Sequence, residues 1–204
     1  MPENNLSTNV DEKEKSSLLF CSMKNLGILI LTTVLVTGCN EQHTSKENFT
    51  SKRITKSTSF IINETIDKVF PLYGAFEERK WIPTWKPILI YPDKEIIEEG
   101  TTFKLDVSGH RHGSESEYLW IVTKYEPKNY LIQYLVSTEN RFWTITVECN
   151  AIKNNSKTKT TVTYSFTGLN DKGNKINQES LERMYKNNLQ DWAEAINTYF
   201  ENLK

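Results

Sequence analysis

The end of the chain sets the strongest demand on its fold. Within residues 175–204 the apolar side chains are Ile176, Leu181, Met184, Tyr185, Leu189, Trp192, Ile196, Tyr199, Phe200 and Leu203. They recur mostly at steps of three and four, the period of one face of an α-helix. Glu182, Arg183, Lys186, Asp191, Glu194 and Glu201 fill the opposite side. The spacing predicts one long amphipathic helix with a large, aromatic-rich face. A face of that size has to be buried against something, and the chain from about residue 59 onward offers almost nothing but strands.

Residues 54–62 read as the first strand. Asn63 or Thr65 is a candidate cap for a short helix in which Ile66, Val69 and Phe70 form the apolar face. Pro71 is compatible with this element, and Gly74 marks its end. A second short helix is expected over residues 76–81, before Pro83 and Pro87 break regularity. Residues 88–91 form a short strand, and Ile96-Ile97 a brief pairing ahead of the turn at Glu99-Gly100. Residues 101–107 alternate, with Phe103, Leu105 and Val107 on one face. A glycine-flanked loop, 108–114, leads to a strand over 117–125. There Leu119 and Ile121 compete with Tyr118, Trp120 and Val122 for the inside. Glu126-Pro127-Lys128-Asn129 is a turn. Strands follow at 130–136, 141–149 (Trp143, Ile145, Val147 and Cys149 facing one way) and 158–166 (Val162, Tyr164 and Phe166). The tip at Asn154-Asn155-Ser156 joins the last two, and a loop over 167–174 precedes the long helix. The short turns cannot carry crossovers, so the strands are antiparallel neighbours. The class is α+β: a curved antiparallel sheet wrapped around the C-terminal helix.

The front of the chain reads as an address. Residues 26–36 (LGILILTTVLV) are apolar and uncharged. They are too few for the roughly 20 residues that span a bilayer but fit a signal-peptide core. Lys24 precedes the run and Val36-Thr37-Gly38-Cys39 ends it. Small residues before a cysteine resemble the bacterial lipobox, which implies cleavage before Cys39 and its lipidation. The expected division is therefore a signal peptide over 23–38, a polar tether over 39–52 and a folded domain over 53–204. Residues 1–22 are polar and of mixed charge, unlike a basic signal start, so they read as an extended or misassigned N-terminus with Met23 as the start. A multi-chain lipid anchor gives strong attachment, each buried methylene adding about 0.8 kcal/mol. The expected location is the bacterial cell envelope, with the domain outside the cytoplasm.

The net charge of −1 argues against a nucleic-acid partner, which requires a basic patch. The three cysteines, Cys21, Cys39 and Cys149, are too far apart for a CxxC site or a disulfide framework. Cys149 reads as a small buried hydrophobe. His110-Arg111-His112 is the one metal-like spacing, two His at i and i+2. Only Asp106 and Glu115 stand near as further ligands, so an exposed loop is the simpler reading and no metal is expected. No Ser-His-Asp spacing, phosphate-binding loop or dinucleotide fingerprint occurs, and no cofactor is implied.

The order of elements resembles the helix-grip fold of the START-like superfamily, also called SRPBCC, over about residues 52–204. The resemblance rests on that order, with Val69-Phe70, Trp81, Trp85-Lys86-Pro87, Glu126-Pro127 and Trp192 as individually weak markers. It implies an apolar cavity between sheet and helix, of the kind that holds lipids, sterols, hormones or polyketides, and it carries over no shared catalytic motif. The candidate lining is Phe103, Tyr118, Trp120, Tyr134, Trp143, Tyr164, Leu189, Trp192 and Ile196, with Trp81 and Trp85 near an entrance. The same rings would serve equally to fill a core. The expected function is a membrane-tethered binding or carrier domain for an apolar or amphipathic, lipid-like or polyketide-like molecule. The alternatives are a cyclase- or hydrolase-type enzyme using His110, Glu115, Glu117 or another polar group in the cavity, and a protein-partner module with a filled core. A buried, partnered His or carboxylate at the cavity floor would mark the enzyme.

Overall fold

A computed structural model describes residues 48–105 and 118–204. The chain divides into two compact units, Met1–Thr44 and Ser45–Lys204, and the described residues belong to the second. The expected signal peptide and Cys39, most of the expected tether, and the loop holding His110 and His112 with Asp106, Glu115 and Glu117 lie outside the described residues.

Seven antiparallel strands form one open curved sheet: β1 (Arg53–Ile62), β2 (Pro87–Tyr91), β3 (Thr102–Leu105), β4 (Leu119–Glu126), β5 (Leu131–Ser137), β6 (Arg141–Ile152) and β7 (Lys157–Gly168). Their order across the sheet is β1-β7-β6-β5-β4-β3-β2. The strands from β2 to β7 are a simple meander, and β1 returns to pair with β7 from Arg53↔Thr167 to Ile62↔Thr158. The two edges, β1 and β2, are therefore consecutive in sequence. Residues 63–86 carry the chain from one edge to the other. Among the described residues β2 leaves Ile88, Ile90 and Tyr91 exposed.

Period-two alternation decides which face is inside. Ile132, Tyr134 and Val136 on β5, Trp143, Ile145, Val147 and Cys149 on β6, and Val162, Tyr164 and Phe166 on β7 are all buried. On β4 the competition is resolved in favour of Trp120 and Val122, in line with the buried Tyr118 just before the strand, while Leu119 and Ile121 are half-buried on the other side. The outer face carries hydroxyls that pair across strands: Thr55 with Ser165 at 2.7 Å, Ser57 with Thr163 at 2.9 Å and Ser59 with Thr161 at 2.9 Å. That leaves a single apolar face in need of a cover.

Between the edges, α1 (Ile66–Val69) runs into a 3₁₀ turn, Phe70–Tyr73, that takes Pro71 in its first turn and ends at Gly74. The second helical piece is one 3₁₀ turn, Glu78–Lys80, shorter than the predicted 76–81. Ile96-Ile97 does not pair as a strand. The Thr101 hydroxyl donates to the Ile96 carbonyl at 3.0 Å and accepts from the Glu98 amide at 3.0 Å, closing a local loop instead.

The C-terminal helical cover is present, but it is broken in two. Helix α2 spans Asp171–Met184 and α3 spans Gln190–Glu201. Between them Asn188 and Leu189 take left-handed conformations, with φ of 55° and 57°. Asparagine tolerates that region better than most residues and commonly ends helices. The apolar spacing crosses the break unaltered, from Tyr185 to Leu189 to Trp192, so periodicity alone does not reveal it. Helix α2 also begins four residues earlier than the composition of the 167–174 loop suggests. The Asn170 side chain caps it by accepting from the Gly173 amide at 2.9 Å, and Gly173 passes directly against the Asn140 backbone carbonyl, where a Cβ would collide.

A ring-walled cavity at the helix break

The segment between the sheet edges is held down by aromatic donors. The Trp81 indole donates to the Leu72 carbonyl at 2.8 Å, the Trp85 indole to the Ala75 carbonyl at 2.5 Å and the Tyr134 hydroxyl to the Tyr73 carbonyl at 2.7 Å. The Tyr73 hydroxyl in turn donates to Thr160 on β7 at 3.0 Å. These bonds use the carbonyls of a segment that lacks a regular helix to satisfy them. They also fix the turn Glu78–Lys80 over the sheet, and with it the direction of Glu78.

Glu78 points inward and is only 7 % exposed. Its neighbours Arg79 and Lys80 turn outward, Arg79 to Glu95 and the Phe76 carbonyl, Lys80 to Glu77. Among the described residues no hydrogen bond or ion pair joins the Glu78 carboxyl. Burial pushes it well above the usual carboxylate range, because a charge without a partner is costly away from water. A carboxyl kept neutral this way both donates and accepts a hydrogen bond.

Glu78 faces a cavity of about 160 Å³ between the sheet and the helix break. Trp85 forms one wall with Ile82. Trp120, Tyr134, Ile145, Val147 and Tyr164 from β4 to β7 form the floor. Met184, Leu189, Asp191 and Trp192 from the end of α2 and the start of α3 form the roof. Trp85 meets Trp120 edge-to-face with centroids 5.4 Å apart, and Trp120 meets Tyr134 at 5.9 Å. The buried Trp120 indole N–H has no hydrogen-bond partner among the described residues. Burial also raises the Tyr134 and Tyr164 hydroxyls well above their ordinary value, with the nearby Glu78 adding to the effect.

Of the residues the sequence suggested, Trp85, Trp120, Tyr134, Tyr164, Leu189 and Trp192 meet around this cavity. The others stand one layer back. Trp81 packs edge-on to Trp192 at 5.4 Å, and Phe103 stacks on Trp120 at 5.6 Å. Tyr118 packs edge-on to Trp143 at 6.0 Å, and Ile196 is fully buried elsewhere under α3. Trp143 stacks on Phe166 at 5.2 Å and lies under the Arg141 guanidinium at 4.7 Å. Arg141 is fully buried and reaches α2, donating to Ser180 at 2.9 Å and Asn177 at 3.5 Å. Glu78, Ile82, Ile145, Val147, Met184 and Asp191 complete the lining without having been singled out by sequence. Alternation pointed at Ile145 and Val147. Nothing in the pattern of a Glu-Glu-Arg-Lys run marks its second glutamate as buried.

A larger, more open cleft of about 460 Å³ lies between β1 and the first turns of α2, lined by Ile54 and by long polar side chains such as Lys52, Lys175, Gln178 and Glu179. Among the described residues no three His, Cys, Asp or Glu side chains converge as a metal-ligand set.

A curved antiparallel sheet closed by a C-terminal helical arm, with short helices between its first two strands, is a helix-grip fold. Three solved structures illustrate it. Ara h 8.0201 superimposes with a TM-score of 0.52 at 17 % identity, covering 72 % of this chain and 97 % of that one. Norcoclaurine synthase from Thalictrum flavum, in complex with dopamine and hydroxybenzaldehyde, gives 0.53 at 11 % identity over 76 % and 90 % of the two chains. The Zhui aromatase/cyclase from Streptomyces sp. R1128 gives 0.53 at 14 % identity over 75 % and 97 %. Identities this low establish a shared fold. No family model and no curated protein matches the sequence.

Proposed function

We propose that this chain is a lipid-anchored binding domain for a small apolar or aromatic molecule, about one ring in size, held between the sheet and the C-terminal helices. The observation that carries the reading is the roughly 160 Å³ cavity with five aromatic walls and a few convergent polar groups. An engineered apolar cavity of about 150 Å³ is enough to bind benzene. Sites for drug-sized ligands run from about 300 Å³ upward, so a lipid-like or polyketide-like molecule would enter by one end only. Burying its apolar surface contributes about 25 cal/mol per Å². The fold accommodates such molecules elsewhere: the norcoclaurine synthase complex contains two one-ring compounds.

Glu78 supplies the polar group at the cavity wall, but among the described residues no group at hydrogen-bond distance takes or returns its proton. Cyclase or hydrolase chemistry needs such a partner, whereas the ring-lined walls by themselves support binding. The open volume disfavours a module with a filled core. The lipobox-like Val36-Thr37-Gly38-Cys39 supports anchoring through Cys39, with the domain displayed outside the cytoplasm on a polar tether.

Native mass spectrometry and thermal-shift screening of the full chain with one-ring compounds test the binding reading. Wild type should gain ligand mass and melting temperature. Val147→Phe, which fills the cavity, should lose both responses while remaining folded. Equal responses in the two proteins would place the ligand elsewhere and sink the reading. For the anchor, Cys39→Ser should abolish incorporation of labelled fatty acid, and unchanged incorporation would refute it.

A further inference from the structure

Among the described residues the charged groups around the cavity are of one sign: the lining holds the carboxyls of Glu78 and Asp191 and no Lys, Arg or His. The basic side chains next in sequence to Glu78 face away and are paired with Glu95 and Glu77. Arg141, which borders a neighbouring recess, is spent on Ser180 and Asn177 and on the faces of Trp143 and Phe166. No described lining residue carries a positive charge that would neutralise an anion. A cation, by contrast, meets two kinds of attraction together. Ring faces attract a positive charge lying within about 6 Å of their centroids. The edge-to-face contacts of Trp85, Trp120 and Tyr134 aim those rings in different directions around one space. The Glu78 carboxyl, more than nine-tenths buried and without a described partner, is directed into the same space.

We propose that the cavity recognises an organic ammonium ion of about one ring, its charge held by the Glu78 carboxylate inside a cage of Trp85, Trp120, Tyr134, Tyr164 and Trp192. This rests on the binding reading above and names the class of its ligand. Burial favours the protonated form of Glu78 in the empty cavity. When the ammonium enters, the carboxyl O–H bond breaks, the proton leaves to bulk water and a carboxylate–ammonium pair remains, so the cavity stays neutral overall. Asp191, exposed at the rim, adds to the attraction for an approaching cation. Tyr134 and Tyr164 remain protonated and present their ring faces and hydroxyl dipoles.

Isothermal calorimetry on the full chain at neutral pH, with benzylammonium, benzyl alcohol and benzoate as probes of nearly equal shape, tests this. Benzylammonium should bind at least tenfold tighter than benzyl alcohol, and benzoate weakest. Repeating the titration in two buffers of different ionisation enthalpy should show net proton release on binding benzylammonium and none for benzyl alcohol. Glu78→Gln should erase the preference, so that benzylammonium binds no tighter than benzyl alcohol. Benzyl alcohol or benzoate binding as tightly as benzylammonium, or a preference that survives Glu78→Gln, would overturn the ammonium assignment and leave the binding reading standing. If none of the three probes binds wild type, both fall.

Discussion

Glu78 costs stability where it stands. A carboxyl whose pKa is raised by folding favours the folded state fully below its unfolded pKa and loses that contribution as pH rises through the folded value. For Glu78 the loss begins above the ordinary carboxylate range and continues toward the elevated folded value. The slope of one such group is at most about 1.4 kcal/mol per pH unit. Urea unfolding of wild type between pH 4 and 8 should therefore show stability falling as pH rises, after the surface carboxylates are accounted for by comparison with Glu78→Gln. The Gln variant should be the more stable at neutral pH, with the difference shrinking toward acid; parallel pH profiles would contradict the assignment. Cys149 tells a simpler story. Burial pushes its thiol up to about 12, so the native protein holds it as an inert, protonated side chain. Peptide mapping after iodoacetamide treatment should find Cys149 alkylated only once the chain is unfolded.

The docking of α2 is unusual for an amphipathic helix. Its buried residues are Gly173, Asn177, Ser180 and Leu181, only one of them a large apolar side chain. It is seated by close backbone approach at one end and by the fully buried Arg141 in its middle. Gly173→Ala should then be severe for so small a change, destabilising by about 1–3 kcal/mol, as overpacking does. Asn170→Ala should cost about 1 kcal/mol through the lost cap. Chemical denaturation measures both, and a neutral Gly173→Ala would show that α2 shifts freely against the Asn140 turn. The apolar spacing made the C-terminal helical arm readable in the sequence but hid its interruption, because a spacing rule sees separations and not dihedral angles. The Asn187-Asn188 pair was the available signal. Arg141 escaped for a related reason: at the start of an alternating strand it occupies an inward position, yet its chemistry argued for solvent until Ser180 and Asn177 were brought to it from residues 36 and 39 further along.

The meander of β2 to β7 was readable because short turns leave antiparallel neighbours little choice. The return of β1 to β7 was not, since nothing local in residues 53–62 names a partner more than a hundred residues away. Half of the cavity wall was likewise predictable from alternation on β4 to β7, whereas Glu78 and Ile82 depend on how residues 63–86 cross the sheet. That crossing is set by the bonds of Trp81, Trp85 and Tyr134 to backbone carbonyls, interactions between distant parts of the chain. Tyr134→Phe tests how far the whole cavity depends on them. It should cost about 1 kcal/mol of global stability and loosen the segment that aims Glu78, seen as faster amide exchange over residues 73–85. Unchanged exchange there would mean that the segment is held by packing alone.

The open edge at β2 bears on how copies of the domain meet at high concentration. Any sheet with a free edge invites a second copy to extend it, and exposed apolar residues such as Ile88, Ile90 and Tyr91 strengthen the invitation. Here the edge strand starts at Pro87, and Pro92 follows its last residue. Proline offers no N–H to a neighbouring strand. The stretch able to template another chain is cut to a few residues, too short to nucleate a continuous ladder. Many copies of the domain brought close together thus avoid zipping their sheets into one.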